Sequence, residues 1–170
     1  MKKCLLLTLV VCLFLSFGAL TPATAEEIKQ GGTMIVTYKD DISTLDPAIG
    51  YDWQNWSMIK ALFNGLMDYE AGTYNLEPDL AKSFTISPDG KIYTFKLRED
   101  VKFHNGRKLT AEDIKFSIER AINPKTQSPG QGFFFFFLGF DEMVAGKATE
   151  LCGMTVFDLY ILKVALSTPD

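Results

Sequence analysis

The sequence predicts a mixed α/β (α+β) fold, and three observations predict it. A β-branched apolar run, Thr33 to Tyr38, is followed by apolar residues at helical spacing from Trp53. Two alternating runs flank Ser87-Pro88-Asp89-Gly90. A capped helical segment opens at Thr110 and is followed by further alternation up to Leu166.

Thr33-Met34-Ile35-Val36-Thr37-Tyr38 reads as a buried strand because β-branched and apolar side chains suit a pleated surface. Asp40-Asp41-Ile42-Ser43-Thr44-Leu45-Asp46-Pro47 ends it, since Asp and Ser favour turns and Pro47 pushes Asp46 into an extended conformation. Trp56, Ile59, Leu62, Phe63, Leu66 and Met67 then recur at helical spacing, with Gly65 a mild defect in the last turn.

Phe84 and Ile86 alternate with polar neighbours, as do Tyr93, Phe95 and Leu97. The intervening Ser-Pro-Asp-Gly predicts a hairpin because Pro presets one turn dihedral and Gly accepts a positive one. Val101 and Phe103 lead into a second turn, Asn105-Gly106. Thr110 and Asp113 stand at capping-box spacing ahead of a helix whose buried stripe is Ile114, Ile118, Ala121 and Ile122, stopped by Asn123-Pro124. Ser128 to Gly132 is a loop. The five phenylalanines Phe133 to Phe137 fit a strand or a buried helix equally, since a uniform apolar run has no phase. Met154 to Val156 and Leu159 to Leu166 predict one or two further strands, with Leu162, Val164 and Leu166 on one face.

Lys2 and Lys3, the apolar run Leu5 to Phe17 and the small residues Ala23-Thr24-Ala25 have the layout of a secretory signal peptide over residues 1–25, with a mature start near Glu26. The run is short for a spanning helix, which needs about 20 residues. With Lys2 and Lys3 removed the net charge falls from −4 to −6 (15 basic against 21 acidic residues), a balance that argues against nucleic acid or anionic lipid as partner. Cys4 and Cys12 lie in the signal, leaving Cys152 without an internal disulfide partner. Phe17-Gly18-Ala19-Leu20 offers no cysteine for a lipid anchor.

Catalysis has few candidates. His104, the one histidine, sits between an apolar strand end and Asn105-Gly106, where polar residues are expected because the backbone bends. A serine-type hydrolase would need it beside a nucleophile and a carboxylate. One histidine and one mature cysteine nearly exclude a zinc site. The pairs Asp40-Asp41, Glu26-Glu27 and Glu99-Asp100 fall in turns or at a chain end, where solvated acids are the rule. No phosphate loop or dinucleotide fingerprint is present, so no catalytic residue, metal or cofactor is assigned. Tyr51, Trp53 and Trp56 instead form an aromatic cluster after the Asp-Pro turn. The loop leaving a strand is where open α/β folds hold ligands, and Tyr and Trp combine rigid apolar contact with a polar tip. Trp56 reads as helix core, whereas Tyr51 and Trp53 fit core or ligand contact equally.

Gly31-Gly32-Thr33, Leu45-Asp46-Pro47, Phe63-Asn64-Gly65-Leu66, Glu77-Pro78-Asp79-Leu80-Ala81, Ser87-Pro88-Asp89-Gly90-Lys91 with Tyr93 to Arg98, Val101 to Gly106, Leu109 to Asp113 and Ser117 to Ala121 follow one another in the order of a known pattern. So do Val156, Leu166-Ser167 and Pro169-Asp170. The chain resembles the family 5 extracellular solute-binding proteins, the dipeptide, oligopeptide and nickel receptors of ABC importers. The resemblance implies a type II periplasmic-binding-protein-like clamp of two lobes. Residues 26–70 would begin the first lobe, and residues 71–170 would form a truncated part of the family's extra domain. It implies a periplasmic, non-enzymatic, monomeric receptor, most simply for di- or oligopeptides, that hands its ligand to a membrane permease. Nickel or another small solute is an alternative, as are a small secreted hydrolase and an adhesive domain. It places ligand contacts at Tyr51, Asp52 and Trp53 and makes His104 a junction between hairpin and helix. Family members are far longer. A chain of this length is therefore expected to lack the second lobe and to enclose a ligand poorly, with unpaired strand edges and Phe133 to Phe137 as aggregation liabilities.

Overall fold

The computed structural model describes residues 31–169. The signal peptide, Glu26, Cys4 and Cys12 lie outside the described residues. The chain divides into two units, residues 1–37 and 38–170.

In the first unit, residues 31–37 carry no regular structure, and Met34, Ile35 and Val36 are exposed. The strand expected over Thr33 to Tyr38 is not formed. Propensity alone does not make a strand, because its N–H and C=O groups need a ladder partner, and among the described residues no strand pairs with this one.

The second unit is built on a four-stranded antiparallel sheet of order β3-β4-β6-β5: β3 Ala81–Ile86, β4 Ile92–Leu97, β5 Met154–Asp158 and β6 Ile161–Ala165. The mixed fold is thus realised as α+β. The hairpin forms as expected: Gly90 takes φ +71°, its N–H donates to the Ser87 carbonyl, and Phe84 pairs with Phe95 and Ile86 with Tyr93. In the next ladder Tyr93 opposes Val164 and Phe95 opposes Leu162. One face therefore carries Phe95, Leu97, Leu162, Val164 and Met154, while the other presents Thr94, Lys96 and Lys163. Leu162, Val164 and Leu166 are buried, as their alternation predicts. The last strand starts at Ile161 because Leu159-Tyr160 form the turn from β5.

Before the sheet stand α1 (Trp53–Leu62) and a two-stranded ribbon of β1 (Met67–Tyr69) and β2 (Leu76–Pro78). The helical pattern was expected to run through Leu66 and Met67. It stops at Leu62, with Phe63 extended, because the carbonyls of Gly65 and Leu66 accept from the amides of Asp79, Leu80 and Ala81. A backbone paired sideways in this way cannot also continue a helix.

After the hairpin, α2 (Ala111–Ile122) covers the apolar face of the sheet with Ile114, Ile118 and Ile122, and Ala121 of the expected stripe is buried as well. Its capping box is present: the Asp113 carboxylate accepts from the Thr110 N–H at 2.9 Å, and Arg107 donates two bonds to the same carboxylate at 2.8 and 3.0 Å. Such a cap contributes about 1 kcal/mol. Asn123-Pro124 ends the helix as expected.

The phenylalanine run is neither strand nor α-helix. A short 3-10 helix, Gln131–Phe134, runs on in tight turns, with the Phe137 N–H donating to the Phe134 carbonyl at 3.0 Å. Phe134, Phe136 and Phe137 turn to the core side, with Phe136 and Phe137 stacked at 5.1 Å and Phe134 tilted against Phe137 at 5.7 Å, while Phe133 and Phe135 are exposed. The short helix α3 (Phe140–Val144), which no sequence signal predicted, follows and buries Met143. Gly153 seals the junction: a Cβ there would stand 2.6 Å from the Leu138 carbonyl oxygen and 2.7 Å from that of Ala165.

Candidate ligand-binding site

The segment leading to α1 is organised by Asp46. Its Oδ1 accepts from the Ala48 N–H at 3.0 Å, and its carbonyl accepts from Ile49 and Gly50 at 3.0 and 2.8 Å. Thr44 Oγ1 in turn accepts from the Asp46 N–H at 3.1 Å. Gly50 then presses on α1, where a Cβ would stand 2.6 Å from Ile59 Cδ1. Two residues on, Asp52 caps the helix, taking the Asn55 N–H at 2.8 Å and its Nδ2 at 2.7 Å. Asn55 is buried, and its Nδ2 also donates to Ser43 Oγ at 2.8 Å.

The three residues assigned to ligand contact stand in a row at this helix start, in different surroundings. Tyr51 is half exposed, meets Trp56 edge to face at 5.6 Å, and lies 6.0 Å from the Phe133 ring. Asp52 spends its carboxylate on the cap. Trp53, on the first turn, is 87% exposed. Trp56, read from the sequence as helix core, is instead half exposed, and its Nε1 donates to the Gly50 carbonyl at 3.1 Å. It supports Tyr51 rather than filling a core. The strand said to lead into this loop is absent, so the site owes its shape to the Asp46 turn and the Asp52 cap.

An ion pair joins this segment to α2. Arg120 donates Nη1 to Asp46 Oδ1 at 2.9 Å and Nη2 to Oδ2. The Arg120 guanidinium holds the Asp46 carboxyl below its ordinary range, and the same bond raises Arg120. With Phe133 against Tyr51, the loop touches the rest of its unit on two sides. Neither contact was read from the sequence: Phe133 lies in a run without phase, and 74 positions separate Asp46 from Arg120.

His104 lies in the turn that closes with the Phe103 N–H on the Arg107 carbonyl at 2.8 Å and Gly106 at φ +85°. It is exposed and has no side-chain hydrogen bond to a hydroxyl, thiol or carboxylate among the described residues. It stands at the edge of a largely apolar cavity of about 570 Å³ lined by Leu62, Phe63, Leu66, Val101, Ile114 and Ile118, among others. No group of three metal-ligating side chains stands together among the described residues, and no described helix is long and apolar enough to cross a membrane.

Residues 75–170 match the bacterial extracellular solute-binding proteins, family 5, middle region. The chain is 31% identical to the periplasmic murein peptide-binding protein MppA of Escherichia coli K12, over 94% of this chain and 31% of that protein. Among solved structures, the substrate-binding domain of an oligopeptide ABC transporter of Bacillus anthracis superposes with a TM-score of 0.75 at 31% identity, covering 79% of this chain and 26% of that one. Listeria monocytogenes OppA bound to peptide superposes at 0.69 with 32% identity, covering 74% and 25%. The chain thus spans about a quarter to a third of the length of these relatives.

Proposed function

The chain belongs to the bacterial extracellular solute-binding proteins of family 5, and from that premise we propose that it serves as part of a peptide-binding receptor that delivers its ligand to an ABC permease. In this reading residues 1–25 direct export to the periplasm, residues 26–70 begin the first lobe, and residues 71–170 belong to the extra domain. Tyr51 and Trp53 pack on the ligand as a monomeric receptor closes, and Asp52 contributes a polar edge while holding the helix start.

One observation carries the reading. Tyr51 and Trp53 are presented to solvent by a loop whose own polar groups are satisfied, so their exposure is built in rather than left over from poor packing. Rigid aromatic groups with little conformational entropy to lose suit a ligand of mixed polarity such as a peptide. That MppA is a murein peptide-binding protein and that Listeria OppA is seen bound to peptide support that ligand class.

The test is a tryptophan-fluorescence and thermal-shift titration of the chain with di- to pentapeptides, repeated on Trp53→Ala. A saturable shift is expected, weakened about ten-fold or more in the variant with far-UV CD unchanged, the size usual for an aromatic anchor. A cooperative melt with no shift for any peptide would overturn the reading, and so would equal affinity in the variant.

A further inference from the structure

Arg120 has no role in the site as the sequence presents it, yet its position in the fold gives it one. It lies in the last turn of α2, a helix held from both ends: the Asp113 capping box fixes its start and Ile122 is fully buried beneath the sheet face near its end. The guanidinium meets Asp46 in a two-pronged arrangement that also fixes the plane of the carboxylate, since the planar fork of Arg matches both oxygens at once. Asp46 cannot turn within this grip, and the turn it organises is therefore oriented with it. Its Oδ1 holds the Ala48 amide, and its carbonyl holds the Ile49 and Gly50 amides. Gly50 is the next link, because its carbonyl accepts the Trp56 indole and its backbone lies against Ile59 and Asn55. Tyr51 comes directly after it.

We propose that Arg120 is a positioning residue for ligand binding: through Asp46 it sets the angle at which the loop 46–52 presents Tyr51 and Trp53, without touching the ligand. The proposal rests on the reading that this loop faces the ligand. A second tether, Phe133 against Tyr51 at 6.0 Å, acts at the far end of the loop, so the loop is held at two points, one ionic and one aromatic. Loss of the ionic tether leaves α2 folded, because the buried stripe of the helix does not include Arg120. The loop would then pivot about the aromatic contact.

The experiment joins amide hydrogen exchange to peptide titration in the full chain, comparing Arg120→Ala, Arg120→Lys and Asp46→Asn with the parent. In Arg120→Ala the Ile49 and Gly50 amides should exchange about ten-fold faster, the usual worth of a charge-assisted hydrogen bond, while β4 and β6 amides stay unchanged. Peptide affinity should fall by a similar factor. Arg120→Lys, which keeps the charge but not the fork, should recover part of both. Asp46→Asn keeps an acceptor for Ala48 and should resemble Arg120→Ala, which separates loss of the ion pair from loss of the turn.

Unchanged exchange at Ile49 and Gly50 in both Arg120→Ala and Asp46→Asn would overturn the proposal. Faster exchange with parental affinity would overturn it too, by showing that the loop angle is irrelevant to binding. If the parent chain binds no peptide, the proposed ligand class fails, and the exchange measurement still decides whether Arg120 orients the loop.

Discussion

Two helices of this molecule carry the same kind of apolar pattern and use it differently. In α2 the residues Ile114, Ile118 and Ile122 lie against the sheet core, and Ala121 and Ile122 are buried. In α1 the residues Trp53, Trp56 and Leu62 are exposed, and Asn55 is the one buried side chain of the helix. Helical period was read in both segments. It could not say which stripe would meet a partner, because burial depends on what the rest of the chain places opposite. The sheet provides that surface for α2, with Leu97, Leu162 and Val164 facing it. For α1 hydrogen bonds take over, through the Asp52 cap and the Asn55 contacts.

The largest effect that would sharpen this contrast is expected from Leu162→Ala. Leu162 is fully buried, so its loss should cost about 2–5 kcal/mol in denaturant unfolding through lost transfer energy and the cavity left behind. A cost as small as that of a surface change would mean that the sheet half is no better packed than the α1 half.

Acid gives a second, intermediate test. Arg107 holds Asp113, and Arg120 holds Asp46, below their ordinary 3.8. A carboxyl lowered by folding lends stability that is complete above the unfolded value and withdrawn as pH falls through the folded one. Thermal stability should therefore change little between about pH 7 and 5 from these two groups and drop below about pH 4. Asp113→Asn should blunt the drop in global melting. Asp46→Asn should blunt only the loss of loop protection. If both variants blunt the global melt alike, the two halves unfold as one and the contrast fails.

The smallest effect is expected from Trp53→Ala. With its ring 87% exposed, the substitution should move stability by no more than about 0.5 kcal/mol, the usual range for surface positions. A larger loss would make Trp53 part of a packed core.

What could be read from the sequence was local. The hairpin declared itself because Ser87, Pro88, Asp89 and Gly90 encode the turn within four residues, and the box of Thr110 and Asp113 needs only three positions. Leu162, Val164 and Leu166 were phased correctly because alternation is a property of the strand itself. The misses depended on distant partners. The carbonyls of Gly65 and Leu66 went to Asp79, Leu80 and Ala81 instead of prolonging α1, and Thr33 to Tyr38 found no ladder among the described residues. The phenylalanine run went into the end of a short 3-10 helix and the turns after it, a choice invisible in a string of identical side chains. At the site, Tyr51 and Trp53 stood out by type, but Arg120 and Phe133 come from elements that sequence alone could not bring near.

Asn55 has a consequence for how the α1 surface can vary. An apolar contact tolerates small rolls of a helix, since one methyl group can replace another against an oily wall. An amide bonded to Ser43, outside the helix, does not, because the bond has a direction. Asn55 thus works as an axle pin that sets the azimuth of the helix from inside. The aromatic residues on its outer side could be exchanged for others, and their compass bearing would stay the same.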